Sequence, residues 1–350
     1  MHLTSIGCQE ALGQLSQFDT VIDVRSESEF QVDRLPGAIN CPVLSDSERA
    51  QVGTLYKQVS PFDARRTGAA LVANSIAMHL RSCFADRPRG WSPLVYCWRG
   101  GERSASVAHV MGRIGWRVHT LEGGYRAFRR LVVDALQVLP ARLHYRVLCG
   151  ATGSGKSRLL THLERAGAQV LDLEALAAHR GSVLGDLPGC PQPSQRQFET
   201  RLWWALSRLD AARPVFVESE SRKIGDCHLP ASLLDAMRQS DCIALDLSVP
   251  QRIQLLRDEY RHYEHRPDRL SRQLDCLTGL HGAATVERWK GLVQSARWDA
   301  LVGCLLEEHY DPVYRRSIQT NYRRVGQARC VRLDSADACA FEKAARELAQ

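Results

Sequence analysis

Residues 92–115 read SPLVYCWRGGERSASVAHVMGRIG. An apolar run reaches Cys97, crosses a loop holding two glycines and two arginines, and enters a segment whose apolar residues Val107, Val110, Met111 and Ile114 recur with helical spacing before Gly115. That is strand, loop and helix, half of an α/β unit. WRVHTLEGG (116–124) supplies the next strand and TVIDVR (20–25) an earlier one. Gly100 and Gly101 allow a tight loop whose backbone N–H groups turn inward, and the positive helix end with Arg99 and Arg103 favours a thiolate at Cys97. The same hollow can hold an anionic oxyacid group. A buried cysteine is the commoner fate at a strand end, yet a merely structural turn does not require two glycines and two arginines. The spacing from Cys97 to Arg103 also fits a phosphatase, so the loop alone leaves sulfur transfer and phosphoryl transfer open.

A second strand, YRVLCG (145–150), runs into GATGSGKS (150–157), followed by the helical RLLTHLERAG. Glycine-rich loop, Lys and Ser between strand and helix are a phosphate loop in its proper context. The N–H groups of 151–157, with Gly150, Gly153 and Gly155 permitting the curvature, would cradle a diphosphate; Lys156 would neutralise its oxygens and Ser157 could ligate Mg²⁺. PVFVESE (214–220) reads as a further strand placing Glu218 where a Walker B acid sits, and Arg222 and Lys223 follow as phosphate ligands or surface charges. Strand-like runs at 168–174 and 241–249 alternate with helical stretches, which implies a second, mostly parallel sheet. Beyond about 250 the chain is Arg- and Leu-rich and reads as helical, ending in the strand-like RCVRLD (329–334).

The chain has 350 residues, enough for two cores at roughly 100–200 residues per domain. FRRLVVDALQVLP (128–140) reads as the connecting helix, so the expected domains are 1–138 and 139–350. Composition is ordinary globular, 44% hydrophobic and 24% charged, which excludes a disordered or collagen-like chain. The net charge of +7 rests on arginine, since only five of the 46 basic residues are Lys. Arginine suits phosphate recognition, and equally a solvated surface. The 12 cysteines form no C-x-x-C pair and no Cys/His zinc spacing, so no metal site is expected and a reducing compartment is. No signal peptide or membrane-length apolar run is visible, so a cytoplasmic protein without membrane partners is expected.

DVRSESEFQVDRLPGAINCP (23–42) resembles the rhodanese pattern through Asp23, Arg25, Glu29, Phe30, Pro36, Gly37, Ala38 and Asn40, with Arg34 standing where such domains usually have His. Residues 1–135 thus look like a rhodanese-like domain with a long insertion near 42–91. LSDSERAQVGTLYKQVSPFDARRTGAALV (44–72), CWRGGERS (97–104), LEGGYRAFRR (121–130), DLEALAAHRGSVLG (172–185), QPSQRQFETRL (192–202) and VESESRKIG (217–225) extend the likeness. Together with the phosphate loop they make the chain similar to the bacterial tRNA 2-selenouridine synthase family. That resemblance implies an α/β rhodanese-like domain, then a P-loop NTPase-like parallel-sheet domain with a helical C-terminal region.

It further implies a transferase that converts wobble 2-thiouridine in the tRNA anticodon to 2-selenouridine through an S-geranylated intermediate. Geranyl diphosphate and selenophosphate would be co-substrates, and tRNA rather than DNA the partner. Cys97, Arg99 and Arg103 would serve the selenium step, and Gly150, Gly153, Gly155, Lys156, Ser157, Glu218 and Arg222 the phosphate site. Tyr and Arg interleave in YRHYEHRPDRLSRQ (260–273) and YRRSIQTNYRR (314–324), as RNA stacking and phosphate contact would need. The rival reading is a P-loop kinase or ATPase fused to a rhodanese sulfurtransferase or Cys-dependent phosphatase; an adaptor with a decayed site is disfavoured by the intact Cys97 and Lys156.

Overall fold

The computed structural model describes residues 3–350. They divide into a first unit, residues 3–135 with Glu199–Trp204, and a second, Leu136–Phe198 with Ala205–Gln350. The change falls within the helix Gly124–Val138, which occupies the place expected for a connecting helix at 128–140.

The first unit holds five parallel strands, β1 (Leu3–Ile6), β2 (Thr20–Asp23), β3 (Ala38–Asn40), β4 (Pro93–Tyr96) and β5 (Val118–Leu121), in the order β1-β5-β4-β2-β3. The central strand β4 is buried along its whole length. Covered on both faces, such a strand must be continuously apolar rather than alternating. Val95, Ile22, Val107, Met111 and Trp116 share the core around it. The expected insertion at 42–91 folds as two helices, Asp46–Gln58 and Pro61–Arg81, which pack on each other. Ser45 and Ser60 cap them, accepting from the amides of Glu48 and Asp63.

Two of the rhodanese-pattern residues, Asp23 and Arg25, turn out to be internal struts. Arg25 is buried, pairs with Asp23 at 2.6 Å, donates to the Asp33 carbonyl at 2.6 Å, and lies 4.0 Å from the Tyr125 ring centroid. Asn40 donates to the carbonyls of Asp23 and Arg25, fixing the end of β2. These groups hold the rim on which the β4 loop rests.

In the second unit the strands are β6 (Tyr145–Cys149), β7 (Gln169–Leu171), β8 (Val215–Glu218), a short antiparallel pair β9 (Lys223–Ile224) and β10 (Cys227–His228), then β11 (Asp241–Asp246) and β12 (Arg329–Arg332). Five of them form a parallel sheet in the order β12-β11-β6-β8-β7. The Arg- and Leu-rich helical region expected beyond 250 is therefore a crossover between neighbouring strands β11 and β12. It has its own apolar core around the fully buried Trp289, with Leu270, Leu274, Val286 and Leu305. The closing helix, Ala338–Ala349, packs on the helix Lys156–Arg165 behind the phosphate loop.

Breaking the buried Asp23–Arg25 pair from one side leaves an uncompensated charge in the core, which costs about 3–5 kcal/mol. Arg25→Met is expected to lower unfolding free energy by that amount in a denaturant titration, and adding Asp23→Asn to recover part of it. A loss under ~1 kcal/mol for the single change would contradict the strut role.

Candidate functional sites

Cys97 lies directly after the central strand β4, at the carboxyl end of the sheet where α/β proteins place ligands. The following helix, Glu102–Ile114, starts at Gly101. Gly100 adopts φ +68°, and a β-carbon there would meet the Leu121 carbonyl at 2.6 Å. On the other side the Tyr125 amide donates to the Cys97 carbonyl and the Arg126 amide to the Trp98 carbonyl, both at 2.9 Å. The LEGGYR segment is thus the bed of the cysteine loop, a role that its Gly-Gly pair before a helix could have signalled.

Only 3% of the Cys97 surface is exposed. Burial pushes its thiol pKa up, but the Ser104 hydroxyl, the Ser104 amide, the Arg103 charge and the Arg99 amide outweigh it, and the net displacement is downward. Ser104 Oγ sits 3.2 Å from Cys97 Sγ and 3.2 Å from the Gly101 carbonyl. Its single proton can serve the sulfur when that is a thiolate, or the carbonyl when it is a thiol. Ser104 is a candidate site residue that the sequence reading did not single out. Arg103 is held by Glu29 at 3.1 Å, and Arg99 is exposed. The structure therefore unites Cys97, Arg103, the Arg99 amide and Ser104 around one sulfur.

In the second unit the phosphate loop follows β6 and opens the helix Lys156–Arg165 from Gly155. Gly153 and Gly155 have φ of +77° and +83°. A β-carbon on Gly155 would lie 2.4 Å from Phe341, so the loop is seated against the closing helix. Lys156 Nζ donates to the Gly150 carbonyl at 2.7 Å and faces the Tyr314 ring at 5.8 Å. A cavity of about 380 Å³ opens here, lined by Gly153, Gly155, Lys156 and Ser157 and by Glu174, Arg180, Glu220 and Tyr314.

Three expected members stand outside this cavity lining: Gly150, whose carbonyl accepts from Lys156, and Glu218 and Arg222. Glu218 is fully buried, and its Oε1 accepts from the amides of Leu173 and Glu174 at 2.8 and 3.0 Å. It anchors the start of the helix Leu173–Ala177 instead of facing the cavity, and burial beside Asp172, Glu174 and Glu220 raises its pKa well above the carboxylate range. Arg222 is exposed on the chain entering β9. The carboxylates that do line the cavity are Glu174, which accepts from Ser157 Oγ at 2.9 Å, and Glu220. Burial, with Glu174 nearby, pushes Glu220 up to about 7, against the pull of Lys156.

The Tyr-Arg interleaving of 260–273 and 314–324 resolves by helical periodicity. Tyr263 and Tyr322 are buried, and Tyr260 and Tyr314 line the cavity. Arg261, Arg266, Arg315, Arg316 and Arg323 are exposed. The tyrosines are walls, not surface stacking platforms, and only the arginines keep the expected place for phosphate contact. Among the described residues, Cys41, His79 and Cys83 bring potential ligand atoms within 4.8 Å of one another, a grouping that no local spacing announces. No helix of the described chain is long and apolar enough to cross a membrane.

Removing the Ser104 hydroxyl deletes one of the groups that lower the Cys97 pKa. Ser104→Ala is expected to move the ultraviolet thiolate titration of Cys97, measured against a Cys97→Ser control, to higher pH. An unchanged titration would show that the hydroxyl serves only the Gly101 carbonyl.

Residues 143–275 match the tRNA 2-selenouridine synthase AAA domain family, and residues 8–131 the rhodanese-like domain family. Three curated proteins named tRNA 2-selenouridine synthase are similar to the chain. The one from Aeromonas salmonicida is 38% identical over 69% of this chain and 65% of its own length. The one from Nitrosomonas europaea is 36% identical over 74% and 68%. The protein from Hahella chejuensis is 32% identical over 90% of this chain and 89% of its own. The alignment with the first of these spans about two thirds of that relative. With both domain families matched in order and the Hahella relative covered almost throughout, the chain belongs to the tRNA 2-selenouridine synthase family.

Proposed function

We propose that this chain is a tRNA-modifying transferase that replaces the sulfur of wobble 2-thiouridine by selenium in two steps. The observation that carries this reading is that one chain presents two amide-lined anion hollows, one beside a thiol biased toward thiolate, the other beside an ammonium group. Both proposed donors, geranyl diphosphate and selenophosphate, are phosphorylated. In the first step the thiocarbonyl sulfur of the nucleoside attacks the allylic carbon of geranyl diphosphate, the carbon–oxygen bond breaks, diphosphate leaves, and N3 of the base gives up its proton. Lys156 and the loop amides stabilise the charge that develops on the departing oxygens. For this, Lys156 exchanges the Gly150 carbonyl for the ligand.

The oxygen donors Ser157 and Glu174 suit Mg²⁺, which favours carboxylate and hydroxyl ligands, and they would hold it beside the diphosphate, where it would neutralise charge. In the second step selenium from selenophosphate bonds to the nucleoside carbon and geranylthiol departs with a proton. Water takes the phosphoryl group to give phosphate. Alkylation serves this step because a neutral geranylthiol is a better leaving group than a thiocarbonyl sulfur. Cys97, with its neighbouring amides and Arg103, holds the selenophosphate or carries selenium. The exposed arginines of 261–323 are the phosphate contacts for tRNA.

The test incubates purified protein with thiolated tRNA, geranyl diphosphate and selenophosphate, each omitted in turn, and weighs the digested nucleosides by mass spectrometry. Without selenophosphate, the geranylated nucleoside accumulates. Cys97→Ala is expected to abolish selenation while geranylation persists, and Lys156→Ala to lower geranylation by about a hundredfold or more. Equal and complete loss of both steps in folded Cys97→Ala protein would refute this division of labour. ATP turnover that ignores tRNA would instead favour a kinase or ATPase.

A further inference from the structure

Beside the phosphate-loop cavity lies a second, narrow slot of about 70 Å³ that shares Thr152, Ser182, Leu256, Tyr260 and Tyr310 with it. Its remaining walls include Leu270, Trp298, Leu301, Val302 and Leu305 from the helical crossover, and Leu184 from the loop that follows the helix Leu173–Ala177. Several polar groups on its rim are already engaged. Tyr263 donates to the Leu184 carbonyl at 3.1 Å, and Arg257 pairs with Glu264 and with Asp299, each at 3.0 Å. A nucleobase in the slot would have to break these bonds to satisfy its own donors and acceptors, whereas a hydrocarbon needs none. The adjoining cavity supplies what the slot lacks, Lys156 and the amides of a phosphate loop.

We infer that the slot takes the hydrocarbon tail of an allylic diphosphate whose head lies at Lys156, and that its depth selects the length of the chain. The inference rests on the reading of the phosphate loop given above and adds the binding site for the apolar half of the ligand. Val302, half-buried on the helix Trp298–Leu305, tolerates a change of size better than its fully buried neighbours and sets the length limit.

The test titrates the full chain by calorimetry with geranyl diphosphate and with inorganic diphosphate. Val302→Trp, which fills the slot, is expected to weaken geranyl diphosphate about a hundredfold while leaving inorganic diphosphate unchanged. Val302→Ala is expected to shift the preference toward the longer farnesyl diphosphate, a gain that misfolding cannot produce. Two outcomes overturn the slot alone. One is wild-type affinity for geranyl diphosphate in a Val302→Trp protein of normal thermal stability; the other is no tighter binding of geranyl diphosphate than of inorganic diphosphate by the wild-type chain. If the wild-type chain and Lys156→Ala bind inorganic diphosphate equally weakly, the phosphate-loop reading fails, and the slot assignment with it.

Discussion

A β-carbon on Gly124 would lie 2.3 Å from the carbonyl oxygen of Cys97 and 2.5 Å from the amide nitrogen of Gly100. No side chain can occupy that space, and Gly124 also holds φ +55°, which L-residues adopt with strain. This approach of one loop to another, backbone against backbone, sets the first site. With Gly124 in place the Tyr125 and Arg126 amides reach the carbonyls of Cys97 and Trp98, and the Ser104 hydroxyl stands 3.2 Å from the sulfur. The buried Asp23–Arg25 pair and Asn40 hold the neighbouring strand end.

The second unit solves the same problem in a different way. There the loop leaves the central strand β6 and is pressed from outside by side chains, Leu256 against Gly153 and Phe341 against Gly155. In both units a parallel sheet delivers a loop to the carboxyl end of a central strand, and a helix start completes an anion hollow. The charges then differ with the task. Around Cys97 the donors overcome burial and favour the anion, whereas around Lys156 the partly buried Glu174 and Glu220 crowd together and burial keeps Glu220 protonated up to about neutrality. A ligand rich in negative charge meets fewer opposing charges when Glu220 holds its proton.

Both loops were legible in the sequence because their chemistry is local. Cys97 with Gly100 and Gly101, and Gly150 to Ser157, are contiguous and lie between recognisable strand and helix patterns. The elements around them were also legible, with boundaries displaced by up to four residues; the strand read at 92–97 is Pro93–Tyr96 and the helix read at 128–140 is Gly124–Val138. β1 escaped notice, since Leu3–Ile6 is a short edge strand with little buried surface and two polar residues. What depends on distant chain was not legible. Glu218 has the position of a Walker B acid, but the amides of Leu173 and Glu174, some 45 residues upstream, claim its carboxylate. Tyr and Arg alternate along 260–273 and 314–324 in a way that suits a nucleic-acid surface, yet helical turns sort the tyrosines inward. The Cys41, His79 and Cys83 grouping needs a strand end and the far end of a long helix to meet.

The account stands on the claim that the loop geometry imposed by Gly124 seats the donors that draw the Cys97 thiol pKa down. The direct measurement is the pH titration of the Cys97 β-carbon by nuclear magnetic resonance in the full chain and in Gly124→Ala, with circular dichroism confirming that the fold is kept. The account predicts a wild-type midpoint below that of an ordinary thiol and a midpoint displaced upward in the variant. Identical midpoints in two folded proteins would contradict it.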